Sequence, residues 1–324
     1  MIVEKGQSRF ERYTSGTFDG IYLNAYMVAA ALNTPLVNGD LTMSQIAVKV
    51  VLKRKKQTYI LMQDNLQLLG TFATLGNNYH EFTNGIDKVY PAADAKAVKV
   101  RLVKLDFGGH IRLTGKDELL VEISLPQVGW ISVNVDDISS YIEFNAVPSI
   151  GYETHLPFTK FEVVQANANK LAFNPGDNIT KMMFLNFDQN DLQAEIISNL
   201  SISSDKYDIN LSFNQLLAHH LSMFDGQGSL RYGTALPISL AAPTIRRGLD
   251  YLPQSFMLFH GDRIAAELDQ CRVDISFNRD NVATSQNYLG YRTYEADIQT
   301  VQNAITRNAK HMDEKLTKIA TPAK

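Results

Sequence analysis

Residues 47–70 read AVKVVLKRKKQTYILMQDNLQLLG, and residues 207–224 read YDINLSFNQLLAHHLSMF. In each stretch apolar and polar residues first alternate, which is typical of a strand with one buried face. The spacing of the apolar residues then changes to three or four, which is typical of a short helix. A strand followed by a short helix thus occurs once in each half of the chain. We therefore expect two domains that are built alike.

The boundaries of these elements follow from the same patterns. In the first stretch, residues 48–52 are predicted to form a strand and residues 60–70 a helix that ends near the glycine. In the second stretch, residues 208–213 are predicted to form a strand, and Asn214 is predicted to cap the following helix. Each predicted helix comes directly after its strand.

Further strands are predicted from residues that alternate between apolar and polar. In residues 98–102 the valines and the leucine are predicted to be buried, and Lys99 and Arg101 to face water. Residues 111–113 and 119–125 alternate in the same way around a turn-like sequence, so we expect them to form a hairpin. The fold class predicted from these patterns is all-β.

Composition limits the classes of function. The chain has 324 residues, a formal charge of -3 and one cysteine, Cys271. A net basic field for sequence-specific nucleic-acid binding is lacking, and one cysteine cannot form an intramolecular disulfide or a multi-cysteine zinc site. No signal-peptide pattern and no apolar run near the roughly 20 residues of a membrane helix occur, so we expect synthesis and folding in the cytoplasm.

No motif predicts a catalytic, cofactor-binding or metal-binding site. The sequence lacks a G-x-S-x-G elbow, a P-loop, a G-x-G-x-x-G fingerprint and an H-E-x-x-H pair. We therefore expect a protein that is not an enzyme and has no catalytic residue, cofactor or metal. One enzymatic alternative stays open, a polysaccharide hydrolase with paired carboxylates. Its candidate residues, all on or near predicted strands, are Glu118, Glu122, Glu143 and Glu162.

Both ends of the chain carry clustered basic residues. Residues 294–319 place apolar side chains three, four or seven residues apart, which predicts a C-terminal amphipathic helix. The basic residues could meet an anionic lipid surface, nucleic acid or another partner. These candidate contact residues are Arg9, Arg12, Lys310, Lys315 and Lys318.

Changes in pattern along the chain predict its division into parts. Turn-forming residues are frequent just after residue 150, where we expect the domain boundary. The predicted parts are an N-terminal arm at 1–13, a first barrel at 14–150, a second barrel at 151–293, and a C-terminal helix and tail at 294–324.

Several short stretches resemble the major capsid protein of tailless, lipid-containing bacteriophages of the corticovirus and finnlakevirus types. FDGIYLNAYMV at 18–28 is followed by Thr42-Met-Ser-Gln-Ile46 and then by AVKVVL and the first helix. In the second half, YDINLSFNQLLAHHL and Tyr288-Leu-Gly-Tyr291 look similar to that family. The loops at 76–97 and 225–253 are longer than in the corticovirus protein, and the C-terminal helix of about 25 residues is a further difference from that shorter protein.

The resemblance implies a fold and a function. The fold would be two jelly-roll barrels in tandem, each with a short helix after a strand. The function would be that of a major coat protein, which forms trimeric, pseudo-hexagonal capsomers of an icosahedral shell around an internal membrane. The implied partners are further copies of the chain, neighbouring capsomers, membrane lipids and a vertex protein, and the implied location is the virion capsid.

A second class of function remains open beside the coat protein. A carbohydrate-binding or receptor-binding β-sandwich, such as a viral spike, also fits an all-β chain without catalytic motifs. Such a module needs aromatic side chains exposed in a groove, and Trp130 is the single tryptophan.

Overall fold

The computed structural model describes residues 1–34, 36, 40–74, 87–90, 96–153, 155–165, 169–174, 179–186, 197–203, 208–216, 256–260, 272–278 and 287–295. The described part of the chain is dominated by antiparallel strands. Within it, no helix is both long enough and apolar enough to cross a bilayer.

The first half of the chain forms two antiparallel sheets with a common core. Its strands are β1 Ile2–Glu4, β2 Ser8–Tyr13, β3 Gly16–Val28, β4 Ala47–Arg54, β5 Gln57–Asn65, β6 Asp87–Tyr90, β7 Val98–Leu113, β8 Glu118–Ser124 and β9 Tyr141–Pro148. One sheet has the order β1-β9-β3-β7-β6 and the other the order β2-β8-β4-β5. Consecutive strands mostly cross from one sheet to the other, which is the arrangement of a jelly roll.

The second half repeats this arrangement. Its strands are β10 Leu156–Val164, β11 Lys170–Phe173, β12 Ile179–Asn186, β13 Ile197–Ser203, β14 Asp208–Ser212, β15 Phe256–His260, β16 Arg272–Phe277 and β17 Asn287–Glu295. The sheet orders are β10-β17-β12-β15 and β11-β16-β13-β14. They match β1-β9-β3-β7 and β2-β8-β4-β5 strand for strand, so the predicted fold class, two jelly rolls in tandem, is confirmed.

A bulge at the same place shows how closely the two halves correspond. In β3 the register against β9 shifts between Phe18 and Gly20. In β12, the matching strand, the register against β17 shifts between Ile179 and Lys181. In both cases one extra residue is inserted in the bulged strand, β3 or β12, and the strands opposite them, β9 and β17, also correspond. The bulges therefore align the two jelly rolls residue by residue.

The predicted strand at 48–52 is confirmed as part of β4, whose Val48, Val50 and Leu52 are buried. Their side chains pack against residues of the opposite sheet, such as Ile21 and Leu23, in one apolar cluster. A smaller cluster fills the second jelly roll and includes residues such as Leu200 and Ile275. Burial of these side chains is the main source of stability for each jelly roll.

The first helix, α1 Leu66–Thr74, begins later than predicted. Residues 60–65 instead complete β5, and the helix continues through Gly70. Its start is set by Asn65, whose side-chain Oδ1 accepts a hydrogen bond of 2.9 Å from the backbone N–H of Leu68. This is a helix N-cap, which satisfies one of the N–H groups that the first turn leaves unpaired.

The second helix begins two residues before the position that the predicted cap implies. Residues 213–216 are already helical, so Asn214 lies inside the helix. The capping residue is Ser212, whose backbone N–H donates to Oε1 of Gln215 at 2.9 Å. Glutamine at this position reaches back to the cap as in a capping box. The predicted continuation to Phe224 lies outside the described residues.

Two strand predictions are wrong. Residues 111–113 and 119–125 do not form a hairpin, because β7 and β8 belong to different sheets. The turn between them carries the chain from one sheet to the other. In residues 98–102 the predicted faces are reversed, since Lys99 and Arg101 are buried whereas the apolar residues between them are half-buried.

The predicted parts of the chain compare with the strands as follows. Residues 1–13, expected to be an arm outside the first barrel, contain β1 and β2, which pair with β9 and β8. The connection between the last strand of the first jelly roll and the first strand of the second spans residues 149–155. The predicted C-terminal helix lies outside the described residues, apart from positions 294 and 295, which end β17.

Candidate functional site

The described contact between the two jelly rolls is built around α1. This helix is buried on nearly all sides and packs on β7 of its own jelly roll and on β12 of the other. Strands β5 and β7 also contact β10. A largely apolar helix that is buried on nearly all sides belongs inside a protein, and α1 joins the two jelly rolls because it packs on both of them.

Phe72 is the central apolar side chain of this contact. Its ring packs edge-on against Phe161 of β10, with centroids 5.7 Å apart. It also lies over Gly290 of β17, where an added Cβ would come within 2.8 Å of a ring carbon. The glycine therefore gives the aromatic ring room to reach the sheet of the second jelly roll.

Lys181 is fully buried beside this ring. Its Nζ donates a hydrogen bond to the backbone carbonyl of Phe72, in the last turn of α1. Nζ also lies 4.6 Å from the centre of the Phe72 ring. Burial, and to a smaller degree the charge of Arg292, holds the pKa of Lys181 well below its usual value. The amine satisfies a carbonyl that the helix end leaves without a partner in the helix.

Arg292 is the second buried basic residue at the contact. Its Nη2 donates to the backbone carbonyl of Asp106 at 2.9 Å, and its Nη1 lies 3.8 Å from the Asp106 carboxylate. Burial lowers the pKa of Arg292, and the charge of Asp106 partly offsets this. The guanidinium also lies against Gly108, where a Cβ would be 2.2 Å from Nη1. Arg292 thus ties β17 to β7 of the first jelly roll.

The segment between the jelly rolls is fixed by a buried ion cluster. Arg54 pairs with both oxygens of Glu153 in this segment and with Asp117, whose Oδ2 lies 3.0 Å from Nε. The Arg112 backbone N–H also donates to Glu153 at 2.6 Å. Burial lowers the pKa of Arg54, but the pairing with Glu153 and Asp117 outweighs it and the net shift is upward. The cluster clamps the segment onto the first jelly roll.

His155 completes the polar part of the contact. Its Nε2 lies 3.3 Å from the carbonyl oxygen of Gly108, and its ring packs edge-on against Tyr294. Burial is the main reason why the pKa of His155 is lowered. The imidazole is therefore uncharged at neutral pH, which suits a position near Arg292.

The two candidate basic contact residues that the structure describes, Arg9 and Arg12, are not brought together. Arg9 and Arg12 lie on β2 and are exposed, but an odd separation along a strand puts their side chains on opposite faces. Arg12 pairs with Glu118, and Nε of Arg9 donates to Gln7 at 3.1 Å. Lys310, Lys315 and Lys318 lie outside the described residues.

The candidate carboxylates do not form a catalytic pair in the structure. Glu118 and Glu122 lie on one face of β8, but four residues along a strand separate them by about 13 Å, beyond glycosidase spacing. Glu143 is on β9 in the other sheet, and Glu162 is in the second jelly roll. Within the described residues, no group of three or more His, Cys, Asp and Glu side chains is arranged to hold a metal ion.

Among the residues that the structure describes, the features expected of a sugar-binding groove are also not brought together. Trp130 is 1% exposed and belongs to the core of the first jelly roll. An open groove of about 470 Å³ on the β4 and β8 side is lined by polar and aliphatic residues. These residues are Ala47, Val48, Lys49, Gln63, Asp64, Glu122 and Ser124.

Sequence reasoning missed the residues that join the jelly rolls. Arg54 belongs to a run of four basic residues that reads as a solvated turn, yet its side chain is only 10% exposed. Lys181 and Arg292 lie in segments in which apolar and polar residues do not alternate regularly. The signal that was available is the largely apolar sequence of α1, LQLLGTFAT, which indicates a helix between two packed layers.

Comparison with known proteins supports the fold. No family model matches the chain, and no curated protein matches its sequence. The crystal structure of the STIV MCP is similar over 92% of this chain and 94% of that one, with 12% identity and a TM-score of 0.53. A chain of the atomic structure of Sulfolobus Turreted Icosahedral Virus matches over 94% of both chains, with 13% identity and a TM-score of 0.53.

A weaker likeness is to the major capsid protein P2 from bacteriophage PM2, with 12% identity, 91% and 93% coverage and a TM-score of 0.46. The likeness to the STIV MCP covers 92% of this chain and therefore includes both jelly rolls. The chain therefore has the double jelly-roll fold that is found in viral major capsid proteins.

Proposed function

We propose that this chain is a structural coat protein that forms trimeric, pseudo-hexagonal capsomers of an icosahedral virus shell. The observation that carries the proposal is the head-to-tail contact inside the chain, in which α1 of the first jelly roll packs on the β12 and β17 face of the second. Two domains of the same topology thus meet through different surfaces. Such heterologous contacts form closed rings when the rotation between the domains permits closure.

The second jelly roll has the elements needed to repeat this contact on another chain. Its helix, beginning at residue 213, follows β14 as α1 follows β5. We propose that this helix packs on the β3 and β9 face of a neighbouring chain. Each chain then supplies two of six similar contacts, and three chains close the ring.

The burial of matching residues supports this arrangement. On the face covered by α1, Met183 and Leu185 are both 0% exposed. The bulges align these residues with Tyr22 and Asn24 of β3, which are half-buried in the single chain. Asn145, which matches Gly290, is exposed. A neighbouring chain would give the first jelly roll the cover that the second already has.

The proposal includes partners, location and domain limits. We propose that capsomers contact neighbouring capsomers, lipids of an internal membrane and a vertex protein, and that the chain folds in the host cytoplasm before it enters the virion capsid. The role is structural, and sequence-specific nucleic-acid binding is not part of it. We place the domain limit near residue 150, with the basic residues near both ends as candidate contacts.

The test is the solution mass of the purified chain by light scattering, followed by negative-stain imaging of the same peak. Three chains in a particle with a pseudo-hexagonal outline are expected. Asn145→Arg, on the exposed β9 face, is expected to give monomers, whereas Ser15→Arg, in an exposed turn at the end of the barrel, is expected to leave the trimer intact. A stable wild-type monomer would overturn the proposal and favour the carbohydrate-binding or receptor-binding alternative.

A further inference from the structure

Three chain segments meet at one end of the first jelly roll. They are the turn between β4 and β5, the turn between β7 and β8, and the segment that leaves β9. Arg54 joins all three, because it contacts Asp117, Glu153 and the carbonyl oxygen of Arg112. We call residues 53–57, 112–118 and 149–153 together the basic end.

The basic end has a charge opposite to that of the whole chain. It contains six lysines and arginines and three acidic residues, a difference of +3, whereas the whole chain carries -3. Two of the acids, Asp117 and Glu153, are buried and paired with Arg54. The exposed cations are Lys53, Lys55, Lys56, Arg112 and Lys116. Burying the acids leaves a surface on which positive charge predominates.

Apolar side chains are exposed beside these cations. Ile150 is 102% exposed and Tyr152 is 76% exposed, although the neighbouring Glu153 is buried. The clamp on Glu153 fixes the backbone that presents both side chains. An aliphatic side chain, a tyrosine and several lysines on one surface are the composition of proteins that bind at the membrane interface.

The turn between β4 and β5 holds its two lysines in an unfavourable backbone conformation. Lys55 has φ of 52° and Lys56 has φ of 81°, in a two-residue turn that normally takes Asn and Gly. Such strain concentrates at positions with a function. Two charged side chains at the tip of the hairpin fit a role in contacting a partner better than a role in stability.

We propose that the basic end binds the surface of an anionic lipid bilayer. The lysines are attracted to the negative surface, and Ile150 and Tyr152 enter the headgroup layer. Nucleic acid would account for the cations but not for a fully exposed isoleucine beside them. The inference deepens the proposed capsid role by naming the surface that meets lipid, and its test does not require a trimer.

The experiment is co-sedimentation of the full chain with phosphatidylcholine vesicles that contain or lack phosphatidylserine. Binding is expected only with phosphatidylserine and should weaken as salt is added. Reversing two cations with Lys55→Glu and Lys56→Glu is expected to weaken binding roughly tenfold or more. The matched control, Lys160→Glu with Lys170→Glu on the second jelly roll, should bind as the wild type does.

Further variants separate binding from folding and from assembly. Lys55→Asn with Lys56→Gly relieves the turn, so it should remain folded while binding vesicles more weakly than the wild type, though less weakly than the charge-reversal variant. Ile150→Ser with Tyr152→Ser should also weaken binding, and light scattering should give every variant the mass of the wild type. Equal vesicle binding by the wild type and the charge-reversal variant would overturn the proposal. So would a basic end that binds duplex DNA but no vesicles.

Discussion

The ring of Phe72 in the first jelly roll occupies the space that a side chain would take at Gly290 in the second. An added Cβ at Gly290 would lie 2.8 Å from carbons of both Phe72 and Phe161. These rings are themselves packed edge-on. The two jelly rolls can come this close because residue 290 on β17 has no side chain. An added methyl group there would have to displace two closely packed rings.

Gly290→Ala is expected to destabilise the chain by about 1–3 kcal/mol, because overpacking forces the rings out of place. Urea denaturation followed by fluorescence or circular dichroism would measure the loss. Gly70→Ala, in α1, is the matched control, since its Cβ would meet only Val103 at an ordinary 3.7 Å. That variant should be more stable by up to about 1 kcal/mol. Equal effects of the two alanines would contradict this account.

Lys181 makes the free energy of unfolding depend on pH. Its pKa is lowered in the folded chain, mainly by burial, so the unfolded chain binds more protons below pH 10.5. The contribution of Lys181 to the free energy of unfolding is therefore complete above the pKa that Lys181 has in the unfolded chain. It is lost as pH falls toward the lower pKa that Lys181 has in the folded chain. Unfolding free energy should rise with pH below 10.5, by at most about 1.4 kcal/mol per pH unit from this group.

Lys181→Met tests this dependence. The variant keeps the volume of the side chain but cannot titrate, so its unfolding free energy should rise less steeply between neutral pH and pH 10 than that of the wild type. Comparing slopes of the two proteins removes the contributions of groups that they share. Parallel curves would show that Lys181 is not buried as an uncharged amine.

The clamp on the segment between the jelly rolls should contribute strongly to stability. Arg54→Ala leaves Glu153 and Asp117 buried without their cation, which is expected to cost about 3–5 kcal/mol. Arg54→Lys should recover only part of this, because an ammonium cannot pair with both oxygens of Glu153 and also reach Asp117. Arg12→Ala removes an exposed pair with Glu118 and should cost less than about 1 kcal/mol. Thermal denaturation of the three variants would rank them.

The reversed strand face at residues 98–102 illustrates a limit of prediction from sequence. Along β7 the alternation changes phase at Leu102 and Val103, so residues before and after this point predict opposite buried faces. Only one phase can face the core, because the pairing with β3 runs without a shift from Gly20 to Val28. Val103, Leu105 and Phe107 fill the core and Lys99 is buried with them. The choice depends on the neighbouring strand, which local sequence does not identify.

Other features were predictable because they are local. The alternation in β4 and the order of strand and helix in both halves were readable without the partner strands. By contrast, Lys181 and the Phe72 carbonyl are 109 residues apart, and Arg292 and Asp106 are 186 apart. A pattern of apolar and polar residues reports only on neighbours in the sequence, so it cannot identify such pairs. The site between the jelly rolls therefore emerged only from the structure.

The turn at Lys55 and Lys56 gives a further prediction about stability. Both residues have positive φ, which costs an ordinary side chain roughly 1 kcal/mol or more per residue. Lys55→Asn with Lys56→Gly supplies the residues that this turn prefers, so the variant should be more stable by about 1–2 kcal/mol. Chemical denaturation would measure the gain.

The control Lys53→Asn, on β4 next to the turn, changes a lysine without relieving strain and should give no such gain. If the two-residue variant were less stable than the wild type, the lysines would be holding the turn through contacts of their side chains, and backbone strain would not be the cost of placing them there.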